Sequence, residues 1–256
     1  MIDISKCINS FFEYVKNYDL SDTNILRKKL HSFRVMQLSS LIAQSLNLTF
    51  EECCVATIIG LLHDIARFKQ YKEYHTYNDR KSFDHGDMGA KILENDLKNY
   101  VDEYTYDKYK DVIISAVKNH NKFQIEDNLN QTQKMFSNIV RDADKLDILY
   151  ELTCIFFKGE EKSIKEQEIL DSVYEDFLRK NSIRKLENVE YSYVDRIVIY
   201  LAFVFDLNFR ESYNILKENN IIDKVISRFE YNTVTKERMI TIQNLANEYI
   251  EEKLKR

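Results

Sequence analysis

The chain has 256 residues, enough for one large domain or two small ones with an apolar core that needs no disulfide. Hydrophobic residues make up 44% and charged residues 31%, which argues against a disordered chain. The formal net charge of -5 argues against general attraction to nucleic acid or to an anionic membrane, although a local basic pocket can still bind a phosphate group.

Glycine and proline are scarce, with 4 and 0 residues, while Leu, Ile, Lys and Glu are plentiful. Because glycine and proline punctuate strands and tight turns, this composition favours an all-α fold. A biased, AT-rich genome could produce the same depletion, so the periodicity of the apolar residues has to support the assignment.

The first predicted helix begins at a cap formed by Asp22 or Thr23 and continues to about Leu46. His31 shares an apolar stripe of this helix with Val35. This spacing predicts that His31 faces the core.

A capping box formed by Thr49 and Glu52 begins the next predicted helix. The run from Cys53 to Ile65 is apolar on nearly all sides, as is typical of a central, buried helix. His63 and Asp64 lie near the end of this run.

A long connection is predicted over residues 70–84, which are rich in Tyr, Lys, Asn and Asp and lack a helical stripe. His85 follows this connection. Three helices come next, at about residues 86–99, 108–120 and 133–157. His120 and Asp144 fall within the apolar arcs of the second and third of these helices.

Beyond residue 158, a charged segment precedes three further helical stretches and a charged amphipathic tail. The stretches cover about residues 165–180, 193–205 and 209–230. No linker rich in Gly, Pro or Ser and no repeat interrupts the chain, so we predict a single compact helical domain over residues 1–256.

No segment predicts export or membrane insertion. The N-terminal residues lack a basic region followed by an apolar stretch, and the longest apolar run, Ile197–Phe205, is shorter than the about 20 residues that span a bilayer. Cys53 and Cys54 lie in an apolar run, and the four cysteines form no C-x-x-C pair. We therefore expect a soluble, cytoplasmic protein with free thiols.

Four of the five histidines sit at helix ends or on core-facing stripes. A single histidine in such a place is more often a hydrogen-bonded core residue than a ligand. Asp64 and Asp144, however, are costly to bury without a cation or a hydrogen-bond partner. A shared metal site explains the whole set, which is His31, His63, Asp64, His85, His120 and Asp144.

Five segments occur in the order HSFRVMQLSSLIA, GLLHDIARF, DHGDMGAKIL, VKNH and RDADKLDIL. In order, helical context and flanking apolar residues, they resemble the motifs of the metal-dependent phosphohydrolases of the HD superfamily. The resemblance covers residues 24–150 and implies a helical bundle around a divalent metal site. Residues 151–256 are then a helical extension that completes the bundle.

The resemblance also implies a role for each candidate ligand. Four residues match the ligands of the first metal, namely His31, His63, Asp64 and Asp144. His85 and His120 match the two further histidines of dinuclear members, in which the aspartate matching Asp64 bridges both ions. Two ions and a catalytic role for Asp64 are therefore expected.

Imidazole and carboxylate ligands without thiolates suit Fe, Mn, Co, Ni or Zn better than calcium, and Mg remains open. Such a metal polarises a phosphoryl oxygen and lowers the pKa of a bound water. This chemistry predicts hydrolysis of a phosphate ester in a nucleotide or another small phosphorylated metabolite. Arg67 and Lys145 are candidate contacts to the substrate phosphate, although solvated surface positions are an equally good interpretation.

Two alternatives stay open. A small branch of the same superfamily uses the six-ligand pattern in di-iron oxygenases, and a non-catalytic nucleotide sensor could retain the metal site for binding. Cyclic di-GMP hydrolysis is disfavoured, because the Gly, Tyr and Pro signature of that branch is missing after His120, where the sequence reads NKFQIEDNLN.

Overall fold

Helices form the regular structure of the computed structural model, which describes residues 2–186 and 188–255 and contains no strand within them. The predicted all-α fold is confirmed. The helices are α1 (Ile4–Val15), α2 (Thr23–Ser45), α3 (Phe50–Leu62), α4 (Ile65–Tyr74), α5 (His85–Tyr100), α6 (Glu103–Asn119), α7 (Gln131–Cys154), α8 (Glu161–Glu166), α9 (Asp171–Leu178), α10 (Tyr193–Leu201), α11 (Arg210–Glu218), α12 (Ile221–Ser227) and α13 (Thr233–Lys255). Short 3₁₀ turns lie at Asp79–Lys81 and Ala202–Asp206.

The chain divides into two compact units, one up to Asp144 and the other from Lys145 onward. The predicted single body, with its core at residues 24–150 and an extension at residues 151–256, stays a prediction. None of the helices in the described ranges has the length and apolarity needed to cross a membrane.

Helix α3 is the most buried helix of the first unit. Val55, Ile59 and Leu62 are fully buried, as the all-round apolar pattern predicts. The predicted capping box is present, because the Glu52 N–H donates to Thr49 Oγ1 over 3.3 Å and the Thr49 N–H donates to Glu52 Oε2 over 2.9 Å.

Two glycines allow neighbouring helices to approach closely. A Cβ atom on Gly60 of α3 would lie 2.8 Å from the Val35 carbonyl oxygen of α2. A Cβ atom on Gly86 of α5 would lie 2.7 Å from the Lys118 carbonyl oxygen of α6. Both distances are shorter than side chains tolerate, so these two helix pairs require glycine at their crossings.

Helix α1 is not among the helices predicted from the sequence. Asp3 caps it by accepting a hydrogen bond from the Lys6 N–H over 3.0 Å. Phe11 is fully buried and meets the rings of Phe33 and Phe68 at centroid distances of 5.8 Å. This aromatic cluster attaches α1 to α2 and α4.

The connection predicted over residues 70–84 is too long, because α4 continues to Tyr74. Gln70 is fully buried, and this polar residue interrupts the apolar stripe from which a helix is recognised. Helix α6 also begins earlier than predicted, because Asp102 caps it by accepting from the Thr105 N–H over 2.9 Å.

In the second unit, two predicted helices are each divided in two. Between α8 and α9 the chain is extended, and the side-chain oxygen of Gln167 accepts from the Tyr193 N–H over 2.9 Å while the Leu170 N–H donates to Asp195 Oδ1 over 2.8 Å. Between α11 and α12, Asn220 adopts a left-handed conformation with φ of 51°. Asparagine tolerates this conformation well, which explains how a helical pattern can end there.

Candidate metal centre

The first unit brings together all six residues predicted as ligands. Five of them are buried, and the Asp144 side chain is 17% exposed. Within three overlapping sets of three, the ligand atoms lie no more than 4.8 Å apart, and these sets are His31, His63 and Asp64, then Asp64, His85 and His120, and then His63, His120 and Asp144. The six residues are described below as two groups, one at each oxygen of Asp64. The six are His31 on α2, His63 and Asp64 at the junction of α3 and α4, His85 at the start of α5, His120 at the end of α6, and Asp144 on α7.

The first group surrounds one oxygen of the Asp64 carboxylate. Asp64 Oδ2 lies 3.3 Å from His31 Nε2 and 3.5 Å from His63 Nε2. Asp144 Oδ1 lies 3.1 Å and 3.7 Å from the same two nitrogens. The imidazoles of His31 and His63 and the carboxylate of Asp144 therefore meet next to Oδ2 of Asp64.

The second group surrounds the other oxygen of Asp64. Asp64 Oδ1 lies 3.5 Å from both His85 Nε2 and His120 Nε2, and these two nitrogens are 3.0 Å apart. The Asp64 carboxylate thus lies between two groups and presents one oxygen to each.

The partners of the Nδ1 atoms determine which way the imidazole lone pairs point. His63 Nδ1 is 2.8 Å from the Gly60 carbonyl oxygen, and His120 Nδ1 is 2.7 Å from the Val117 carbonyl oxygen. A carbonyl oxygen only accepts, so each Nδ1 carries the hydrogen and donates. In the neutral ring, Nε2 then presents a lone pair to the centre.

His85 has the same orientation with a different partner. Its Nδ1 lies 2.6 Å from Asp79 Oδ2, so the N–H donates to a carboxylate. The Nε2 atoms of His85 and His120 consequently face each other over 3.0 Å, and a cation bound by both would stabilise this arrangement.

The donor set fits divalent transition metals. Ligand bonds of about 2.0–2.2 Å to a tetrahedral ion place neighbouring ligand atoms about 3.3–3.6 Å apart. The separations between carboxylate oxygens and imidazole nitrogens, 3.1–3.7 Å, are of this size. Nitrogen and oxygen donors without thiolate suit Fe, Mn, Co, Ni or Zn.

Electrostatics keep the candidate ligands in their binding forms. Burial raises the pKa of the Asp64 carboxyl, but Lys28 and the surrounding histidines outweigh burial and hold this pKa well below its usual range. The pKa of Asp144 is also held well below its usual range, because His31 and His63 outweigh its burial. Both carboxylates are therefore ionised near neutral pH.

Burial favours the neutral ring in two of the histidines next to these carboxylates. Burial lowers the pKa of His63. Burial, with the positive charge of Arg67, lowers the pKa of His85 to about 4. A neutral imidazole is the form that binds a metal.

Local structure aims each side chain at the centre. Asp64 has φ of -101° and ψ of 21°, so the chain turns between α3 and α4 and directs two consecutive side chains into one space. The Arg141 guanidinium of α7 donates to the carbonyl oxygens of Asn119 and His120 over 3.3 and 3.5 Å and also to that of Lys122. These bonds give partners to carbonyl oxygens at the C-terminal end of α6, where His120 lies.

Lys28 is a residue of this centre that the sequence interpretation missed. It is 9% exposed, and its Nζ lies 2.6 Å from Asp64 Oδ2. It precedes His31 by three residues, which places both side chains on one face of α2. This spacing is the sequence feature from which the position of Lys28 beside the centre could have been predicted.

Asp79 is the second missed residue. It lies in the connection between α4 and α5, where no periodicity indicates which side chains turn inward. Its Oδ1 accepts from Arg67 Nη1 over 2.8 Å and from Gln70 Nε2 over 2.9 Å, and its Oδ2 contacts His85.

The two predicted substrate contacts have different surroundings. Arg67 is close to the centre, with its Nε 3.5 Å from Asp64 Oδ1, and its Nη1 donates to Asp79, Gln70 and the Tyr77 carbonyl oxygen. Lys145 lies in the second unit, where its Nζ is 2.5 Å from Asp206 Oδ2. Contact of either residue with a substrate stays a prediction.

Residues 30–149 match the family described as the HD domain, and this segment contains all six residues of the centre. No curated protein and no solved structure matches the chain. HD domains bind divalent metals, and the family consists mostly of metal-dependent hydrolases. The all-α fold and the convergent histidines and aspartates agree with this match. The chain therefore contains an HD domain at residues 30–149.

Proposed function

We propose that the protein is a metal-dependent phosphohydrolase that acts on a phosphate ester of a nucleotide or another small phosphorylated metabolite. The observation that carries this proposal is the Asp64 carboxylate, whose two oxygens each face a separate pair of histidines. Two ions held so close together would clamp the reacting oxygens of a phosphoryl group and supply a nucleophile near neutral pH.

Each candidate ligand has a place in this proposal. One ion would be held by His31, His63, Asp144 and Oδ2 of Asp64, and the other by His85, His120 and Oδ1 of Asp64. Asp64 would be shared by both ions, which makes it the central residue of the site.

Fixed cations next to the ligands favour an anionic substrate. Lys28 and Arg67 both lie beside Asp64, at 2.6 Å and 3.5 Å. Together with Arg27 they surround the ring of Tyr77 at 5.6–5.8 Å from its centroid. When bound metals share the charge of Asp64, the Lys28 ammonium needs another anionic partner, and a phosphate group is suited to that place.

The proposal is tested on protein purified without chelator. Metal content per chain is determined, and phosphate release is assayed on nucleotides, phosphomonoesters and phosphodiesters with added Mn, Co, Ni, Zn, Fe or Mg. We expect turnover that depends on a divalent transition metal and is lost after chelation.

Other results would contradict hydrolysis in defined ways. About two irons per chain without any phosphate release would favour the di-iron oxygenase. Tight nucleotide binding without turnover under every metal would favour the sensor. Absence of bound metal under all conditions would refute the metal centre itself.

Lys28→Met is expected to raise the KM of a phosphorylated substrate about tenfold or more with a smaller effect on kcat, because one hydrogen bond to a charged group is worth about 1.5–3 kcal/mol. Methionine retains the apolar stem of lysine and removes its charge. The matched control is Lys29→Met, since Lys29 lies next along α2 and its Nζ is 4.9 Å from the centroid of the Phe12 ring. Equal KM values for the two variants would show that Lys28 does not bind the substrate anion.

A further inference from the structure

The two histidines of the second group differ in what holds their Nδ1 atoms. His120 donates to the Val117 carbonyl oxygen, which lies within the last turn of its own helix. His85 donates instead to Asp79, a charged residue in the connection before α5. His63 of the first group resembles His120, because its partner is the Gly60 carbonyl oxygen of α3.

Asp79 is held in place from the α4 side. Its Oδ1 accepts from Arg67 Nη1 and Gln70 Nε2, while the same Gln70 amide lies 2.8 Å from Ser82 Oγ and 3.1 Å from the Phe83 carbonyl oxygen. These bonds bind the connection to α4 and leave Oδ2 directed at His85. The Asp79 side chain is still 29% exposed, so solvent reaches this link.

We infer that Asp79 is a positioning residue for the second ion, and that its contact with His85 sets the affinity of the Asp64, His85 and His120 group for metal. This inference rests on the metal centre of the proposed function. A carboxylate that accepts from Nδ1 orients the imidazole ring and increases the basicity of Nε2. We expect the first group to depend less on Asp79, because His63 donates to the Gly60 carbonyl oxygen at the end of its own helix, whereas Asp79 contacts His85.

The consequence is a centre with two unequal sites. The first site is held by helices alone, since its ligands lie on α2 and α7 and at the end of α3. The second requires the connection at residues 75–84 to be in place, because that connection supplies Asp79. Occupancy of the second site, and with it any chemistry that needs two ions, is thereby coupled to the order of this connection.

Replacing Asp79 by Asn tests the effect of its negative charge separately from the effect of its side-chain shape. The Asn amide oxygen can still accept from His85 Nδ1 and keeps the volume of the side chain, but the negative charge is lost. Asp79→Ala removes both the negative charge and the hydrogen-bond acceptor. Asp96→Asn is the matched control, because Asp96 is an exposed residue of α5, the helix that His85 begins.

The test is a titration of chelator-treated protein with Co²⁺, followed by visible absorption and by calorimetry. Wild type and Asp96→Asn are expected to bind two ions. Asp79→Asn should bind the first ion with unchanged affinity and the second about 10–100-fold more weakly, and Asp79→Ala more weakly still. His85→Ala supplies the reference spectrum of protein with one ion, and the thermal unfolding of each metal-free variant verifies its fold.

The possible failures are distinguishable. If Asp79→Asn binds both ions as wild type does, or loses affinity for both equally, Asp79 does not control the second site and the inference is wrong. If wild type binds a single ion, there is no second site to control and the inference is also wrong. If wild type binds no ion, the metal centre of the proposed function fails and the inference fails with it.

Discussion

Asp64→Asn is expected to reduce metal content and to lower kcat for phosphate release at least about 10³-fold, since even one preorganised transition-state donor is worth about 10²–10³. Asp64 contributes an oxygen to each group of histidines, at 3.3 Å from His31 and 3.5 Å from His85. One substitution would therefore weaken both proposed ion sites, whereas each of the other candidate ligands would serve only one.

The Asn side chain is chosen because it preserves the fold. Lys28 lies 2.6 Å from Asp64, and removal of the whole side chain would leave a buried ammonium without its partner, at a cost of about 3–5 kcal/mol. The amide oxygen of Asn can still accept from Lys28. Metal per chain, kcat and the circular dichroism spectrum are measured together.

Asp107→Asn is the control, because Asp107 is an exposed residue of α6 far along the helix from His120. It should match wild type in metal content and turnover. Full turnover in Asp64→Asn would refute a catalytic role for Asp64, whereas normal metal content with lost turnover would show that its charge acts in the reaction rather than in binding.

Gly60→Ala is expected to lower the free energy of unfolding by about 1–2 kcal/mol, because overpacking costs about 1–3 kcal/mol and the better helix propensity of alanine returns at most about 1 kcal/mol. The added methyl group would lie 2.8 Å from the Val35 carbonyl oxygen and 2.9 Å from Met36 Cα, which are backbone atoms of α2. Neither atom can move without shifting the helix that carries His31.

Urea denaturation of the metal-free protein measures the free energy of unfolding, and a Co²⁺ titration measures the metal affinity of the site. The affinity of the first ion should fall in Gly60→Ala, since α2 and α3 carry His31 and His63. Gly89→Ala is the control, because its methyl group would approach the Val117 Cγ1 atom, the end of a side chain, to 3.1 Å, while the nearest backbone atom, the His63 carbonyl oxygen, lies at an ordinary contact distance of 3.7 Å. Equal stability of the two variants would show that the crossing of α2 and α3 accommodates a larger residue.

The six candidate ligands were predictable because their positions follow local rules. His31 and Asp144 lie within the apolar arcs of long helices, and His63 and Asp64 end a run that is apolar on all sides. Helical periodicity places such side chains toward the interior without any knowledge of the neighbours. The prediction that they share a metal site rested on the order of the motifs.

The residues around the ligands were not predictable in the same way. Gln70 is a polar residue that interrupts the apolar pattern, so the sequence predicts that a loop begins there. In the structure Gln70 is buried and α4 continues past it to Tyr74. The breaks after α8 and α11 likewise depend on distant partners, such as the bond from the Leu170 N–H to Asp195, or on a single left-handed residue, Asn220. Periodicity carries no signal for either cause.

The sequence by itself determined the helical class, the main helices of the first unit and the identity of the six candidate ligands, because each depends on patterns within one helix or one motif. Only the tertiary structure decided that Asp64 presents one oxygen to each pair of histidines, and that Lys28 and Asp79 complete the centre. The reason is physical: these relations join side chains from separate helices and a connection, and their distances arise only when the helices pack.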